Sequence, residues 1–307
     1  MTLNFLVSIL AAVAMNANPA PEAVPANLGR FPRTASRIAA LPPIRGKSDS
    51  LGVLTTAKSA IVVDVGSGAV LYAKDAEIPY PIASLTKLLA AMVILDQGLR
   101  ESETITIQES DFDSIGRRYF RAGESMSRDD AFRAMLISSV NELANAFART
   151  APGGREAFLQ AMREKAATLG LRHATFRDAS GIDPSNAASA SDVARLFRSA
   201  TAYPLMRDIT GSGGFDLRTA EGRSIQMKPT NELIASYLNQ DPYKVIIGKT
   251  GSLPEAGFCL GQVTRHPDGQ EVIAVVLGSD NHFGRFQEVK ALTAWAFDTF
   301  RWPRGEE

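Results

Sequence analysis

Alternation and helical spacing divide the chain into blocks before any chemistry is considered. Ser59-Ala-Ile-Val-Val-Asp-Val65 is an apolar, β-branched run and Gly66-Ser-Gly68 has turn composition. Ala69-Val-Leu-Tyr-Ala73 then repeats the apolar run, which predicts a hairpin. Leu85, Leu88, Leu89, Met92 and Leu95 recur at helical spacing and predict a helix from Ser84 to about Gln97, stopped by Gly98. The middle third reads as helical. Ser127-Arg-Asp-Asp130 caps a helix through Ile137, Asn141 opens a second, and Gly154 to Leu169 and Ser191 to Ala200 are two more. After Pro229 the pattern turns to strands: Tyr243 to Ile247, Gly257 to Thr264 and Glu271 to Gly278, the last two joined by His266-Pro-Asp-Gly269. An amphipathic helix from about Phe283 to Phe300 closes the pattern. Strands at both ends and helices between them predict one sheet built from sequence-distant halves. No internal repeat is present.

Two segments of different character precede the first strand. Phe5 to Val13 is a short apolar run followed by small residues around Ala12-Val13-Ala14 and Ala17, as in the h-region and cleavage zone of a secretory signal peptide. It is too short to span a bilayer, and no Lys or Arg precedes it. Residues 1–20 are therefore read as a signal peptide, which implies export to the periplasm or cell envelope. From Asn18 to about Ser50 the chain is rich in Pro and Ala, with isolated Arg30, Arg33, Arg37 and Arg45 and no periodicity. This predicts a flexible spacer over 21–50, a folded domain over 51–302 with order beginning near Ala57, and a short tail over 303–307. No later stretch is apolar and long enough for a membrane helix.

Composition adds exclusions. Lys+Arg and Asp+Glu both number 33, so no general electrostatic pull on nucleic acid exists. A single cysteine, Cys259, rules out an internal disulfide and reads as a small buried hydrophobe. His173, His266 and His282 lack ligand-like spacing, so neither a metal nor any other cofactor is expected.

Three short patterns carry chemistry: Ser84-Leu-Thr-Lys87, Ser139-Val-Asn141 and Lys249-Thr-Gly251. Singly they say little. In a chain of 307 residues each of the first two arises about once by chance, and Ser279-Asp-Asn281 also fits the second. The ordinary readings are a helix start, a capping Ser/Asn and a strand end. As a set they describe a reaction. Ser84 and Lys87 share one helix face, and a serine hydroxyl becomes nucleophilic only when a base takes its proton. Without a histidine, a lysine kept neutral by burial or by neighbouring positive charge can be that base. The backbone N–H of Ser84 at a helix N-terminus faces developing negative charge. Ser139 and Asn141, between two helices, can aim a proton-relaying hydroxyl and a peptide-binding amide into one cleft. Lys249, Thr250 and Gly251 offer charge, a hydroxyl and room for an extended peptide ending in a carboxylate.

Ser-x-x-Lys, Ser-x-Asn and Lys-Thr-Gly in this order resemble the signature of penicillin-binding proteins and serine β-lactamases. Tyr80 to Lys87, Leu169-Gly-Leu171 through Asp178-Ala-Ser-Gly-Ile182, and Glu271 to Gly278 extend the resemblance to low-molecular-mass D-alanyl-D-alanine carboxypeptidases, over roughly Leu51 to Trp302. It implies an α/β (α+β) fold of β-lactamase/transpeptidase type, an antiparallel sheet flanked by helices with an inserted helical subdomain. By the same resemblance Ser84 forms an acyl-enzyme, Lys87 is its general base, Ser139 relays a proton and Asn141 positions substrate. Lys249 sets the electrostatics and helps bind the carboxylate, Thr250 donates a hydrogen bond, and the N–H groups of Ser84 and Ser252 form the oxyanion hole. Motif order selects Ser139 and leaves Ser279 as a strand-end capping residue. Val140 and Ser252 depart from relatives that carry Gly and His there. Glu124 to Asp130, Ser138 to Glu142 and Ala256 to Leu260 look most like the endopeptidase branch. The implied partners are peptidoglycan peptides ending in D-alanine or cross-linked through it, and covalent β-lactam inhibitors.

Three alternatives remain to be weighed. A β-lactamase with a deacylating Glu carries it in a Glu-x-x-Leu-Asn segment, a context that none of Glu142, Glu156, Glu164, Glu221 or Glu232 has. A catalytically silent wall-binding protein on the same fold would need no reacting groups, yet all are present. A phosphate loop ending in Gly248-Lys-Thr250 fails because Tyr243 stands where its first glycine belongs. Trp295 and Trp302 read as packing, and Arg285 as a solvated charge at a helix start that is near the site in related chains.

Overall fold

The computed structural model describes residues 40–303. The expected signal peptide and most of the expected spacer lie outside those residues. Five antiparallel strands form the central sheet: β1 (Ser59–Asp64), β2 (Val70–Lys74), β3 (Lys244–Leu253), β4 (Gly257–Arg265) and β5 (Glu271–Ser279). Their spatial order is β3-β4-β5-β1-β2, so the C-terminal meander is completed by the N-terminal hairpin. The joint is the ladder from Leu277 opposite Ser59 to Val272 opposite Asp64. β1 is buried along its whole length, which explains its unbroken apolar run. Ile61 and Val63 face one core and Ala60 and Val62 the other, as the two-residue period of a strand requires.

On the Ala60 side lies α7 (Gly284–Thr299), which seals the smaller core with Phe286, Val289, Leu292 and Ala296. On the other side is α1 (Thr86–Asp96), in which only Leu95 and Asp96 are not buried. A helix buried all round belongs inside a larger assembly. The assembly here comprises α2 (Arg128–Ile137), α3 (Asn141–Thr150) and α4 (Gly154–Thr168), together with α5 (Ala190–Ala200) against the sheet. The N-terminus of α2 is fixed as expected, Ser127 accepting from Asp130 N.

Three expectations need correction. The third predicted strand does not end at Ile247: β3 continues through Lys249-Thr-Gly251 to Leu253, because Gly248–Leu253 keep pairing with β4 down to Gly257. The region between α5 and β3, left unassigned, holds α6 (Pro204–Thr210) and a hairpin of Phe215–Arg218 with Ser224–Met227. In the hairpin only Leu217 and Met227 are buried and every second side chain is exposed, so it lacks a strong apolar pattern. Finally, residues 44–50 of the expected spacer are held against the domain. Ile44–Arg45 pair with Phe300–Arg301, Lys47 reaches Asp298 at 2.6 Å, and Trp295 Nε1 donates to Ser50 Oγ at 2.7 Å. Residues 44–50 are thus fastened to the end of α7.

Candidate active site

The cleft lies where α1, the start of α3 and β3 meet. Ser84 is not on the α-helix proper: it is the centre of a 3₁₀ turn, Ala83–Leu85, that leads into α1. Ala83 has φ 48°, and Ser139, in the joint between α2 and α3, has φ 58°. Non-glycine residues in the left-handed region cost of order 1–3 kcal/mol and persist only where packing enforces them. Two glycines allow the enclosure. Gly251 on β3 passes so near the turn that a Cβ there would stand 2.6 Å from Ile82 O and 3.2 Å from Ser84 N. Gly181, at φ +83°, would place one 2.1 Å from Ala83 O. The 2.6 Å and 2.1 Å contacts are shorter than any side chain tolerates, so Ser84 N lies in a slot framed by β3 and the 178–183 loop.

The candidate side chains from the three sequence motifs converge in this slot. Lys87 is fully buried, and its Nζ lies 2.9 Å from Ser84 Oγ, 2.7 Å from Asn141 Oδ1 and 2.5 Å from Ser180 O. Burial pushes its ammonium down to about 8, while the Asp178, Asp113 and Glu142 carboxylates act in the opposite direction. Lys249, also buried, donates to Ser139 Oγ at 2.6 Å and to Thr250 O at 2.9 Å. Burial holds its ammonium well below the usual lysine range, reinforced by the charges of Lys87 and Arg285. Thr250 Oγ1 donates to Thr230 Oγ1 at 2.7 Å. Ser252 is exposed at the mouth, one residue beyond Gly251. Val140 is buried and caps α3 without touching the chemistry.

Several site residues were not anticipated. Ser180 supplies a carbonyl to Lys87, and its hydroxyl donates to Asp113 at 3.1 Å. Asp178 shapes that loop by accepting from Gly181 N at 2.5 Å and Asp183 N at 2.7 Å. Glu142 is buried behind Lys87, accepting from the backbone of Tyr119 and Phe120, and burial pushes its carboxyl up. Thr230 carried no motif. Arg285 corrects the reading of a solvated charge: it is only 4% exposed. Its Nη1 donates to Gly251 O at 3.2 Å, its Nε has no partner, and it makes no ion pair among the described residues. Ser279, the competing second-motif serine, instead donates to Glu288 at the end of β5. Cys259 is buried, its thiol pushed up to about 11 by burial.

Comparison with known proteins places this geometry in a family. A family model described as D-alanyl-D-alanine carboxypeptidase matches residues 48–281. The chain is 32% identical over 244 residues to a D-alanyl-D-alanine endopeptidase of Pseudomonas aeruginosa, covering 77% of this chain and 76% of that protein. A D-alanyl-D-alanine endopeptidase of Escherichia coli is 30% identical over 241 residues, again covering 77% and 76%. Among solved structures, penicillin-binding protein D2 of Listeria monocytogenes in its cefotaxime-bound form superposes with a TM-score of 0.70 at 26% identity, over 80% of this chain and 99% of that one. With its sheet order, its Ser84–Lys87 pair and a family match spanning most of its length, this chain belongs to the D-alanyl-D-alanine carboxypeptidase family.

Proposed function

We propose that the protein is an exported serine D,D-peptidase that hydrolyses peptidoglycan peptides through an acyl-enzyme on Ser84. One observation carries the mechanism. A neutral lysine has two N–H donors and one lone pair. Around Lys87 Nζ stand two pure acceptors, Asn141 Oδ1 and Ser180 O, and one hydroxyl, Ser84 Oγ. The two carbonyls take the two N–H groups, which leaves the lone pair aimed at the serine proton. Lys87 thus removes the proton as Ser84 Oγ attacks the carbonyl carbon of the penultimate D-alanine. The oxyanion forms between Ser84 N–H and Ser252 N–H, the two sides of the slot that Gly251 keeps open.

Departure of the amine needs a proton. Ser139, held by Lys249, relays to it the proton that Lys87 took from Ser84, which leaves Lys87 neutral again, and Asn141 holds the peptide amide. Water then attacks the ester, with Lys87 again as base, and releases Ser84. The substrate carboxylate meets Lys249, Thr250 and Arg285. A buried guanidinium with an unused Nε–H, beside a second buried cation, is poorly compensated until an anion arrives. β-Lactams acylate the same serine, in keeping with the β-lactam-bound form of the Listeria relative.

Within this class the reading favours cross-link cleavage. The two relatives quoted above are both endopeptidases by name, in line with the segments around Glu124 and Ala256, whereas a D-alanyl-D-alanine carboxypeptidase of Mycobacterium tuberculosis is 31% identical over 250 residues. Digestion of purified monomeric and cross-linked muropeptides tests the choice. Conversion of dimers to monomers is expected to outpace loss of terminal D-alanine, and the reverse order would make the enzyme a carboxypeptidase.

A further inference from the structure

Arg285 ends a chain of hydrogen bonds that starts at the surface. Glu232, in the 3₁₀ turn Glu232–Ala235, lies 2.8 Å from His282 Nε2 through its Oε1. His282 Nδ1 lies 3.1 Å from Arg285 Nη2, and Arg285 Nη1 donates to Gly251 O. The roles in this chain are forced. A guanidinium has only donors and keeps its proton, so His282 Nδ1 must be the acceptor. The ring's one proton then sits on Nε2 and is donated to Glu232. Neutral His282 is therefore the form that fits.

The ring thus bridges the Glu232 carboxylate on one side and the Arg285 guanidinium on the other. The remaining contacts are the rings of Phe258, Phe283 and Phe286, at centroid distances of 6.0, 5.0 and 5.4 Å. These rings hold the imidazole in place without supplying an alternative partner.

We propose that Glu232 and His282 are positioning residues for Arg285, which hold its guanidinium where it meets the substrate carboxylate. The inference rests on the reading above that Arg285 meets that carboxylate. Because the chain touches neither Ser84 nor Lys87, it alters substrate binding rather than the chemical step.

The test compares a peptide ending in D-alanyl-D-alanine with the same peptide ending in the carboxamide, at one fixed pH. His282→Leu should raise KM of the acid about fivefold, with KM of the carboxamide and the ratio of the two kcat values unchanged and penicillin labelling of Ser84 confirming an intact site. His282→Gln, whose side-chain oxygen still accepts from Arg285, should keep the low KM. Arg285→Leu separates the two layers. A raised KM for the acid in Arg285→Leu with unchanged behaviour in both His282 variants would overturn the positioning role and leave the carboxylate site standing. No effect in Arg285→Leu would overturn both.

Discussion

The base assignment makes a quantitative prediction about pH. Lysine has an ordinary value of 10.5, and burial brings Lys87 to about 8. At pH 7 the neutral fraction therefore rises from about 0.03% to about 9%, roughly 300-fold, at a cost to the folded ammonium form of about 3 kcal/mol. Acylation of Ser84 by a fluorescent penicillin, followed by stopped-flow, should accelerate about fivefold from pH 7 to pH 8 and level off above that, as Lys87 loses its proton. Glu142→Gln supplies the internal control. Both backbone bonds to Glu142 end on Oε1, so the amide preserves them, but the negative charge that raises Lys87 disappears. The midpoint should move below 8. Lys87→Arg, which keeps a cation that never gives up its proton, should slow acylation at least about 100-fold at all pH values. A flat profile between pH 6 and pH 9 in the wild type, or a midpoint that rises in Glu142→Gln, would refute the reasoning.

Other consequences follow from the same geometry. Gly181→Ala combines φ +83° with a 2.1 Å approach to Ala83 O; it should cost about 2 kcal/mol or more, lowering Tm by roughly 4–8 °C in calorimetry and blocking penicillin labelling. Thr230→Val removes the partner of Thr250 Oγ1 and should raise KM for an acid-terminated peptide about fivefold with kcat nearly unchanged. Nitrocefin should be consumed slowly, with the acyl-enzyme isolable by mass spectrometry; fast turnover would make the protein a β-lactamase.

The sheet and the main helices were legible because their signals are local. The β1 run is apolar on both faces, and the Leu85–Leu95 spacing marks α1 directly. The three motifs were legible as a set because a lysine base, a relay serine and a strand lysine are residue types that this chemistry demands. What stayed hidden depends on backbone and burial. Ser180 contributes a carbonyl, which every residue has, so its identity carried no signal. Thr230 meets Thr250 only because the segment between the 215–227 hairpin and β3 passes the end of α2, with Thr230 N bonded to Ile137 O. Arg285 looked like a surface charge at a helix start, and only the packing of α7 against β4 and β5 shows it buried. Residues 44–50 lack periodicity because they are held by an edge pairing and by side-chain bonds to α7.

The central claim is that Ser84 is the atom that attacks. The direct measurement is peptide mass spectrometry of the protein after incubation with benzylpenicillin, on the wild type and on Ser84→Ala. A penicilloyl adduct on the peptide that ends at Lys87, and none in the variant with its fold retained by circular dichroism, is the predicted result. An adduct on another peptide, or a fully labelled Ser84→Ala protein, contradicts the account.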